Sequence, residues 1–141
     1  MGTLFLDSSV PLHALGGDHP ARAPARALLE RAMQGGVRLH MSAESVQEFL
    51  FHRMRRTHRF AAIDQTHLLR SLAVTHAMDD EVIERALQLV SSTGIRGRDA
   101  FIAATALIAG FDTVVTTDTR FVAVPGLRPL SPAEALAQLG P

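Results

Sequence analysis

The chain has 141 residues, of which 47% are hydrophobic and 20% charged; this corresponds to one globular domain and excludes intrinsic disorder. All 14 basic residues are arginine and are balanced by 14 acids, so the net charge predicts no polyanion partner, and the lack of lysine excludes P-loop and Schiff-base chemistry. Cysteine is absent, which excludes disulfide scaffolds, thiolate metal sites and cysteine nucleophiles.

The hydrophobic pattern predicts strands that alternate with helices. An apolar strand over residues 3–6 ends at Asp7, and Ser8 or Ser9 is placed to cap a helix that begins near Val10. A long helix is capped by Ser42 and runs to about residue 58. Further strands are predicted over residues 37–41, 73–77, 112–116 and 127–130. Further helices are predicted over residues 20–34, 61–72, 79–90 and 99–109, and from Ser131, which begins a capping box.

This alternation is typical of an α/β fold with a mainly parallel sheet. No linker, repeat or low-complexity segment interrupts it, so we expect a single domain over residues 1–141. No apolar run reaches the ~18 residues of a membrane span. The amino-terminal segment lacks the features of a signal peptide, and we therefore expect a cytoplasmic protein with no membrane partner.

Four acidic side chains are candidates for a shared site at one edge of this sheet. Asp7 and Asp118 each follow a predicted strand, and ligands bind outside the carboxyl ends of parallel strands. Asp99 begins a helix that is apolar almost all round. Glu48 is flanked by apolar residues of the long helix, where a charge is unfavourable unless it faces a polar cavity.

Each of these acids also has a purely structural interpretation. Asp7 is a favoured helix cap, Asp99 suits the first turn of a helix, and Asp118 suits a turn. Glu48 fits a solvated helix face, and Glu44 lies one turn earlier on the same face. Four clustered carboxylates would repel one another, and a hard divalent cation held by oxygen ligands relieves that repulsion.

Four short motifs, in order along the chain, resemble those of PIN-domain proteins, and more narrowly of VapC-type toxins from bacterial VapBC toxin–antitoxin systems. Phe5–Ser9 resembles the opening strand with its metal-binding aspartate and small hydroxyl residue. Ser45–Phe49 resembles the helix that carries the family's glutamate, which favours Glu48 over Glu44. Arg98–Ala106 resembles the central aspartate and its alanine-rich helix, and Val114–Phe121 resembles the Thr-x-Asp-x-x-Phe signature.

The resemblance implies a three-layer α/β/α sandwich and an endoribonuclease that depends on Mg²⁺ or Mn²⁺. It implies that Asp7 and Asp99 bind the metal, and that Glu48 and Asp118 complete the acidic catalytic pocket. A metal held in this way activates water for attack on an RNA phosphodiester. The resemblance further implies an RNA substrate, a cognate VapB-type antitoxin and a homodimer.

Two hydroxyl residues and one departure from the family pattern complete this set. Ser9 and Thr116 are expected to support the acids, with Thr116 orienting Asp118 or a water molecule. Many relatives carry another acid two residues after the last aspartate, where this chain has Arg120. The substitution weakens the case for a second metal ion and makes Arg120 a candidate phosphate contact.

A basic segment is a candidate surface for the RNA backbone, since phosphate contacts dominate the affinity of proteins for nucleic acids. Its arginines are Arg53, Arg55, Arg56 and Arg59. Two other interpretations of these arginines stay open: they lie at a solvated helix end, or they form a binding surface for the antitoxin.

Other families gather acids at the ends of parallel strands. Receiver-like phosphoacceptor domains and haloacid-dehalogenase-type phosphatases both use a lysine, which this chain lacks. The phosphatases also need Asp-x-Asp, whereas Asp7 is followed two residues later by Ser9. A non-catalytic PIN-like module that binds RNA or protein stays open as the alternative to an enzyme.

Overall fold

The computed structural model describes residues 2–141, in which strands and helices alternate as the hydrophobic pattern predicts. The strands are β1 (Gly2–Phe5), β2 (Val37–Ser42), β3 (Ala73–His76), β4 (Thr113–Val115) and β5 (Arg128–Leu130). The helices are α1 (Ser9–Leu15), α2 (Arg22–Met33), α3 (Ala43–Arg56), α4 (Arg59–Leu72), α5 (Asp80–Ser92), α6 (Gly97–Ile108) and α7 (Pro132–Leu139). Within residues 2–141, each helix is too short or too polar to cross a membrane.

All the strands are parallel, and together they form one sheet in the order β3-β2-β1-β4-β5. Hydrogen bonds pair β1 with β2 and β2 with β3, and separately pair β4 with β5. The two parts join just beyond β1, where Leu6 bridges to Val115 and the Asp7 N–H donates to the Val115 carbonyl at 2.8 Å. Strand order therefore reverses between β1 and β4, which makes this edge the switch point at which such sheets bind ligands.

Helices cover both faces of the sheet, which confirms the predicted three-layer sandwich. Because side chains alternate along a strand, Leu4 and Leu6 point to one face of β1 and Phe5 points to the other. The first face packs against α1, α2, α3, α4 and α7, and the second packs against α5 and α6. Fully buried aliphatic and aromatic side chains fill the hydrophobic core on each face of the sheet.

Most of the predicted helix caps are present. The Ser42 hydroxyl accepts from the Ser45 N–H at 3.1 Å, and Ser131 forms a full capping box with Glu134. Helix α4 begins two residues earlier than the hydrophobic pattern predicts, because His58 Nδ1 accepts from the Ala61 N–H at 3.2 Å.

The predicted capping of α1 by a serine is wrong. Ser8 stands at the amino-terminal cap position but makes no side-chain cap hydrogen bond, and Ser9 is the first residue of the helix. Both hydroxyls donate to carboxylates instead: Ser8 to Glu48 and Ser9 to Asp7. A hydroxyl that is bound to a carboxylate leaves its helix end without a side-chain cap.

A pair of histidines links β2 to β3 on the face covered by α5 and α6. His40 Nδ1 lies 2.8 Å from His76 Nε2, and the two rings stack with centroids 5.1 Å apart. The Phe111 ring packs against His40 with centroids 4.9 Å apart. Burial, together with the positive charges of His76 and Arg38, lowers the pKa of His40 below its ordinary value.

The depressed pKa of His40 predicts a loss of stability on acidification. Near its ordinary pKa of ~6.5 the unfolded chain takes up a proton that the folded chain resists, so the stabilising contribution is complete above that pH and declines as the pH falls towards the folded pKa. We expect the urea midpoint to drop between about pH 7.5 and pH 5.5 in the wild type, and to drop less in His40→Gln. His67→Gln, at an exposed position of α4, is the control and should behave as the wild type does. An equal drop in all three proteins would contradict the prediction.

Candidate active site

Asp7 lies at the switch point, where hydroxyl groups hold its carboxylate. The residue is buried, and its Oδ2 accepts from Ser9 Oγ and from Thr116 Oγ1, both at 2.8 Å. The same hydroxyls accept backbone N–H groups: Ser9 Oγ from Thr117 at 3.0 Å and Thr116 Oγ1 from Asp118 at 3.1 Å. These bonds tie the end of β1 to the loop after β4, and they orient the Asp7 carboxylate.

Glu48 lies beside Asp7 and does not occupy a solvated face of α3. Ser8 Oγ donates to Glu48 Oε1 at 2.6 Å and lies 3.5 Å from Asp7 Oδ1. The Arg98 guanidinium pairs with Glu48 Oε2. Because Arg98 stands at the start of α6, this ion pair brings the middle of α3 to the amino-terminal turn of α6.

Arg96 joins the two remaining acids. Its guanidinium donates to Asp99 Oδ2, with Nε at 2.9 Å, and to Asp118 Oδ2, with Nη2 at 2.8 Å. Arg120 Nε adds a further bond to Asp118 Oδ1 at 3.1 Å. These donors, Arg96 first, hold the pKa of Asp118 far below its ordinary value.

The pKa of Asp99 is shifted in the opposite direction, mainly because the residue is buried. Burial raises the pKa of Asp99, the neighbouring charges of Asp7 and Asp118 raise it further, and Arg96 only partly offsets the rise. The structure therefore brings Asp7, Glu48, Asp99 and Asp118 to one edge of the sheet, joined by hydroxyl groups and guanidinium groups.

Glu44 also lies beside this acidic pocket, because it lines the same cavity as Glu48 and Arg98, although the family pattern favours Glu48 alone. Burial raises the pKa of Glu44, with further contributions from the charges of Asp99 and Asp7, and Arg98 opposes the shift. Its Oε2 is buried and makes no hydrogen bond to any of residues 2–141. The shared face of Glu44 and Glu48 on α3 was the available sequence signal for this extra carboxylate.

Arg96 and Arg98 are the other residues that sequence reasoning missed. Arg96 lies three residues before Asp99, a spacing at which side chains on one helix turn can pair. The pairings of Arg96 with Asp118 and of Arg98 with Glu48 span distant parts of the chain and leave no local pattern.

The oxygen donors of the pocket fit a hard divalent cation, whose preferred ligands are carboxylates. The Arg96 guanidinium already occupies the position of a cation between Asp99 and Asp118. Among residues 2–141, no group of three acidic or histidine side chains is arranged closely enough to hold a metal ion. A metal that binds Asp99 Oδ2 would therefore compete with Arg96 for that oxygen.

The predicted basic surface is only partly assembled. Arg53 and Arg56 line a cleft between α1 and α3, whereas Arg55 lies over the Phe51 ring, 5.6 Å from its centroid. Arg59 is exposed at the start of α4. Arg120 pairs with Asp118 and so lies at the rim of the acidic pocket.

Removing one of the hydroxyl groups that orient Asp7 should weaken metal binding. We expect Ser9→Ala to raise the Kd for Mn²⁺ about tenfold, the lower limit for loss of a residue that orients a metal ligand. Calorimetric titration with Mn²⁺ measures this directly, and Ser71→Ala, an exposed serine of α4, is the matched control. Unchanged Mn²⁺ affinity in Ser9→Ala would show that Ser9 does not support metal binding by Asp7.

These observations define a class of protein: a parallel α/β sandwich with an acidic pocket at its switch point. Comparison with known proteins identifies its family. The family model described as the PIN domain matches residues 4–127. Ribonuclease VapC7 of Mycobacterium tuberculosis is 31% identical over 121 residues, which cover 84% of this chain and 83% of the relative. Ribonuclease VapC13 of the same organism is 27% identical over 137 residues, covering 91% and 99%. The chain therefore belongs to the PIN-domain family, among the VapC ribonucleases.

Solved structures share the fold at low sequence identity. VapBC2 from Rickettsia felis, bound to a DNA fragment from its promoter, superimposes with a TM-score of 0.71 at 17% identity and covers 93% of this chain and 98% of that chain. VapC20 of Mycobacterium tuberculosis, a toxin that cleaves the sarcin–ricin loop, superimposes with a TM-score of 0.68 at 18% identity and covers 86% and 98%.

Proposed function

We propose that the chain is the endoribonuclease toxin of a type II toxin–antitoxin system and that Asp7, Glu48, Asp99 and Asp118 form its catalytic site. The observation that carries this assignment is the convergence of the four acids at the β1–β4 switch point, in a chain that belongs to the VapC ribonucleases. The reaction is hydrolysis of an RNA phosphodiester bond. We place it in the cytoplasm and propose Mg²⁺ as the cofactor, with Mn²⁺ as a substitute.

The chain's own residues have separate tasks in this proposal. Asp7 and Asp99 would hold the cation, and a cation bound there would supply an activated water and neutralise charge on phosphate oxygens. Ser9 and Thr116 keep the Asp7 carboxylate in one orientation, because each donates to its Oδ2.

The two outer acids complete the pocket. Ser8 holds Glu48 beside Asp7, and the Thr116 hydroxyl accepts the Asp118 N–H and so sets the position of that residue. Asp118 carries a negative charge at physiological pH, as an aspartate with its ordinary pKa of ~3.9 already does, and the hydrogen bond from Arg96 lowers that pKa further. A permanently charged Asp118 favours a cation close to Asp99.

The cognate partner in this proposal is a VapB-type antitoxin, and the toxin forms a homodimer. Support comes from solved relatives of the same fold that are toxin–antitoxin complexes, among them one from Klebsiella pneumoniae with a TM-score of 0.70 at 18% identity. A partner protein could inhibit this chain by placing a basic side chain among the four acids, where that side chain would compete with the metal.

The direct experiment is RNA cleavage by the purified chain in Mg²⁺, in Mn²⁺ and in EDTA. We expect cleavage with either metal and none in EDTA, together with growth arrest when the chain is expressed without an antitoxin. A chain that leaves RNA intact in both metals and does not slow growth would refute the enzymatic assignment.

Two observations favour a second candidate, a non-catalytic PIN-like module that binds RNA or protein. Arg96 fills the space between Asp99 and Asp118, and residues 2–141 contain no ready-made group of metal ligands. Such a module would bind RNA without cleaving it, and its binding would be the same in Mg²⁺ and in EDTA. The cleavage experiment therefore separates the two candidates.

A further inference from the structure

A cleft of about 710 Å³ opens between the carboxyl end of α1 and the last turns of α3. Its volume lies within the ~300–1,000 Å³ range of ligand-binding pockets. Among the residues that line it, Asp18 contributes one negative charge against two arginines and three histidines. The basic and aromatic members are His13, His19, His52, Arg53 and Arg56.

The cleft adjoins the acidic pocket through His13. The His13 Nδ1 atom lies 3.0 Å from the Ser9 carbonyl oxygen and 3.0 Å from Thr117 Oγ1. A carbonyl oxygen only accepts hydrogen bonds, so Nδ1 carries the proton and donates to Ser9. The Ser9 hydroxyl in turn donates to Asp7. Ser9 is therefore the single residue between His13, on the wall of the cleft, and the Asp7 carboxylate. The cleft thus lies close enough to Asp7 to contact an RNA strand whose scissile phosphate lies at that carboxylate.

The wall of the cleft offers flat rings that are fixed in place. The His13 and His19 rings lie with centroids 4.4 Å apart and planes inclined by 43°. His19 Nδ1 accepts from the Ala21 N–H at 3.0 Å, which restrains that ring although the residue is exposed. Bases of single-stranded RNA are bound by stacking on such π-faces, histidine included.

The opposite wall, on α3, offers positive charge. Arg53 Nε donates to Gln65 Oε1 at 2.9 Å, so its guanidinium is held in position, and Arg56 is exposed beside it. Guanidinium groups bind phosphate oxygens, and a positive groove that follows the backbone is the usual companion of a stacking surface. The cleft thus combines the two features that single-stranded RNA requires, next to the site where we place cleavage.

We propose that this cleft binds the single-stranded RNA segment next to the scissile phosphate, with His13 and His19 stacking on a base and with Arg53 and Arg56 contacting phosphates. The inference rests on the proposed function, because it takes the acidic pocket as the cleavage site. It adds a substrate subsite on α1 and α3 that is separate from the four acids. Arg55 and Arg59, which do not line the cleft, are left outside this subsite.

The test is equilibrium binding of a fluorescent single-stranded RNA of about ten nucleotides in EDTA, followed by cleavage kinetics of the same RNA in Mn²⁺. We expect His19→Ala to weaken binding about tenfold, within the range for one lost stacked base. Arg56→Ala should reduce the slope of log affinity against log salt by about 1. Both residues are exposed, so unchanged thermal unfolding should show that the variants fold. The matched controls are His67→Ala and Arg70→Ala, exposed residues of α4 that do not line the cleft.

The kinetics should place the defect in substrate binding. His19→Ala and Arg56→Ala should raise KM and leave kcat unchanged, because neither residue contacts the reacting phosphate. If the wild type cleaves this RNA and these variants match it in affinity and KM, the cleft proposal fails while the ribonuclease assignment stands. If the variants keep their RNA affinity but no longer hold a co-expressed antitoxin, the cleft is an antitoxin site and the proposal is overturned. If the wild type neither binds nor cleaves RNA, the proposed function itself fails.

Discussion

Asp99→Asn should abolish RNA cleavage while leaving the fold intact. The substitution keeps the shape of the side chain and removes the charge that attracts a cation into the pocket. Loss of a residue that merely orients a metal ligand already costs about 10- to 100-fold, so we expect loss of a ligand to lower the rate at least ~100-fold. Asp7→Asn should behave in the same way, because Asp7 is the other proposed ligand.

The matched control for these variants is Asp64→Asn, the same chemical change at an exposed position of α4. Cleavage rates should be measured together with Mn²⁺ binding and thermal unfolding, so that a lost site is distinguished from a lost fold. If folded Asp99→Asn and Asp7→Asn proteins cleave RNA at the wild-type rate, the acidic pocket is not the catalytic centre.

Arg96→Gln should make metal binding tighter and the metal-free protein less stable. Arg96 is the guanidinium that contacts both Asp99 and Asp118, so its removal leaves two neighbouring carboxylates without their shared positive charge. The melting temperature without metal should fall for that reason. The Kd for Mn²⁺ should fall about tenfold, which is ~1.4 kcal/mol of binding free energy, because Arg96 no longer competes for Oδ2 of Asp99 and of Asp118.

Addition of Mn²⁺ should therefore raise the melting temperature of Arg96→Gln by more than that of the wild type, since a ligand stabilises the state that it binds. Arg120→Gln should show a smaller change, because Arg120 contacts Asp118 but not Asp99. Arg85→Gln, an exposed arginine of α5, should show none. Weaker Mn²⁺ binding in Arg96→Gln would contradict the view that Arg96 occupies the cation position.

The elements of the fold and the meeting of Asp7 with Asp118 were predictable from short-range patterns, whereas Glu48 and Asp99 were added through the family resemblance. Alternating apolar residues indicate strands, and the rule for parallel sheets places Asp7 and Asp118 at one edge without knowledge of any contact. The capping box at Ser131 is equally local, because both of its hydrogen bonds join residues three apart.

Contacts between residues far apart in the chain could not be predicted in this way. Ser8 can cap a helix or donate to a carboxylate, and the choice depends on Glu48, which is 40 positions away. The same applies to Arg96, whose long side chain reaches Asp118 across 22 positions. The cleft between α1 and α3 arises from the packing of the two helices, so the sequence of either helix alone does not predict it.

The join between β1 and β4 has a consequence for the chain during its synthesis. A ribosome-bound chain that ends before residue 113 already contains Asp7, Glu48 and Asp99, but it has neither β4 nor the loop that carries Thr116 and Asp118. Such a nascent chain lacks one wall of the pocket and one of the two hydroxyls that orient Asp7. The site that we propose is therefore complete only after β4 and the loop that follows it have been translated.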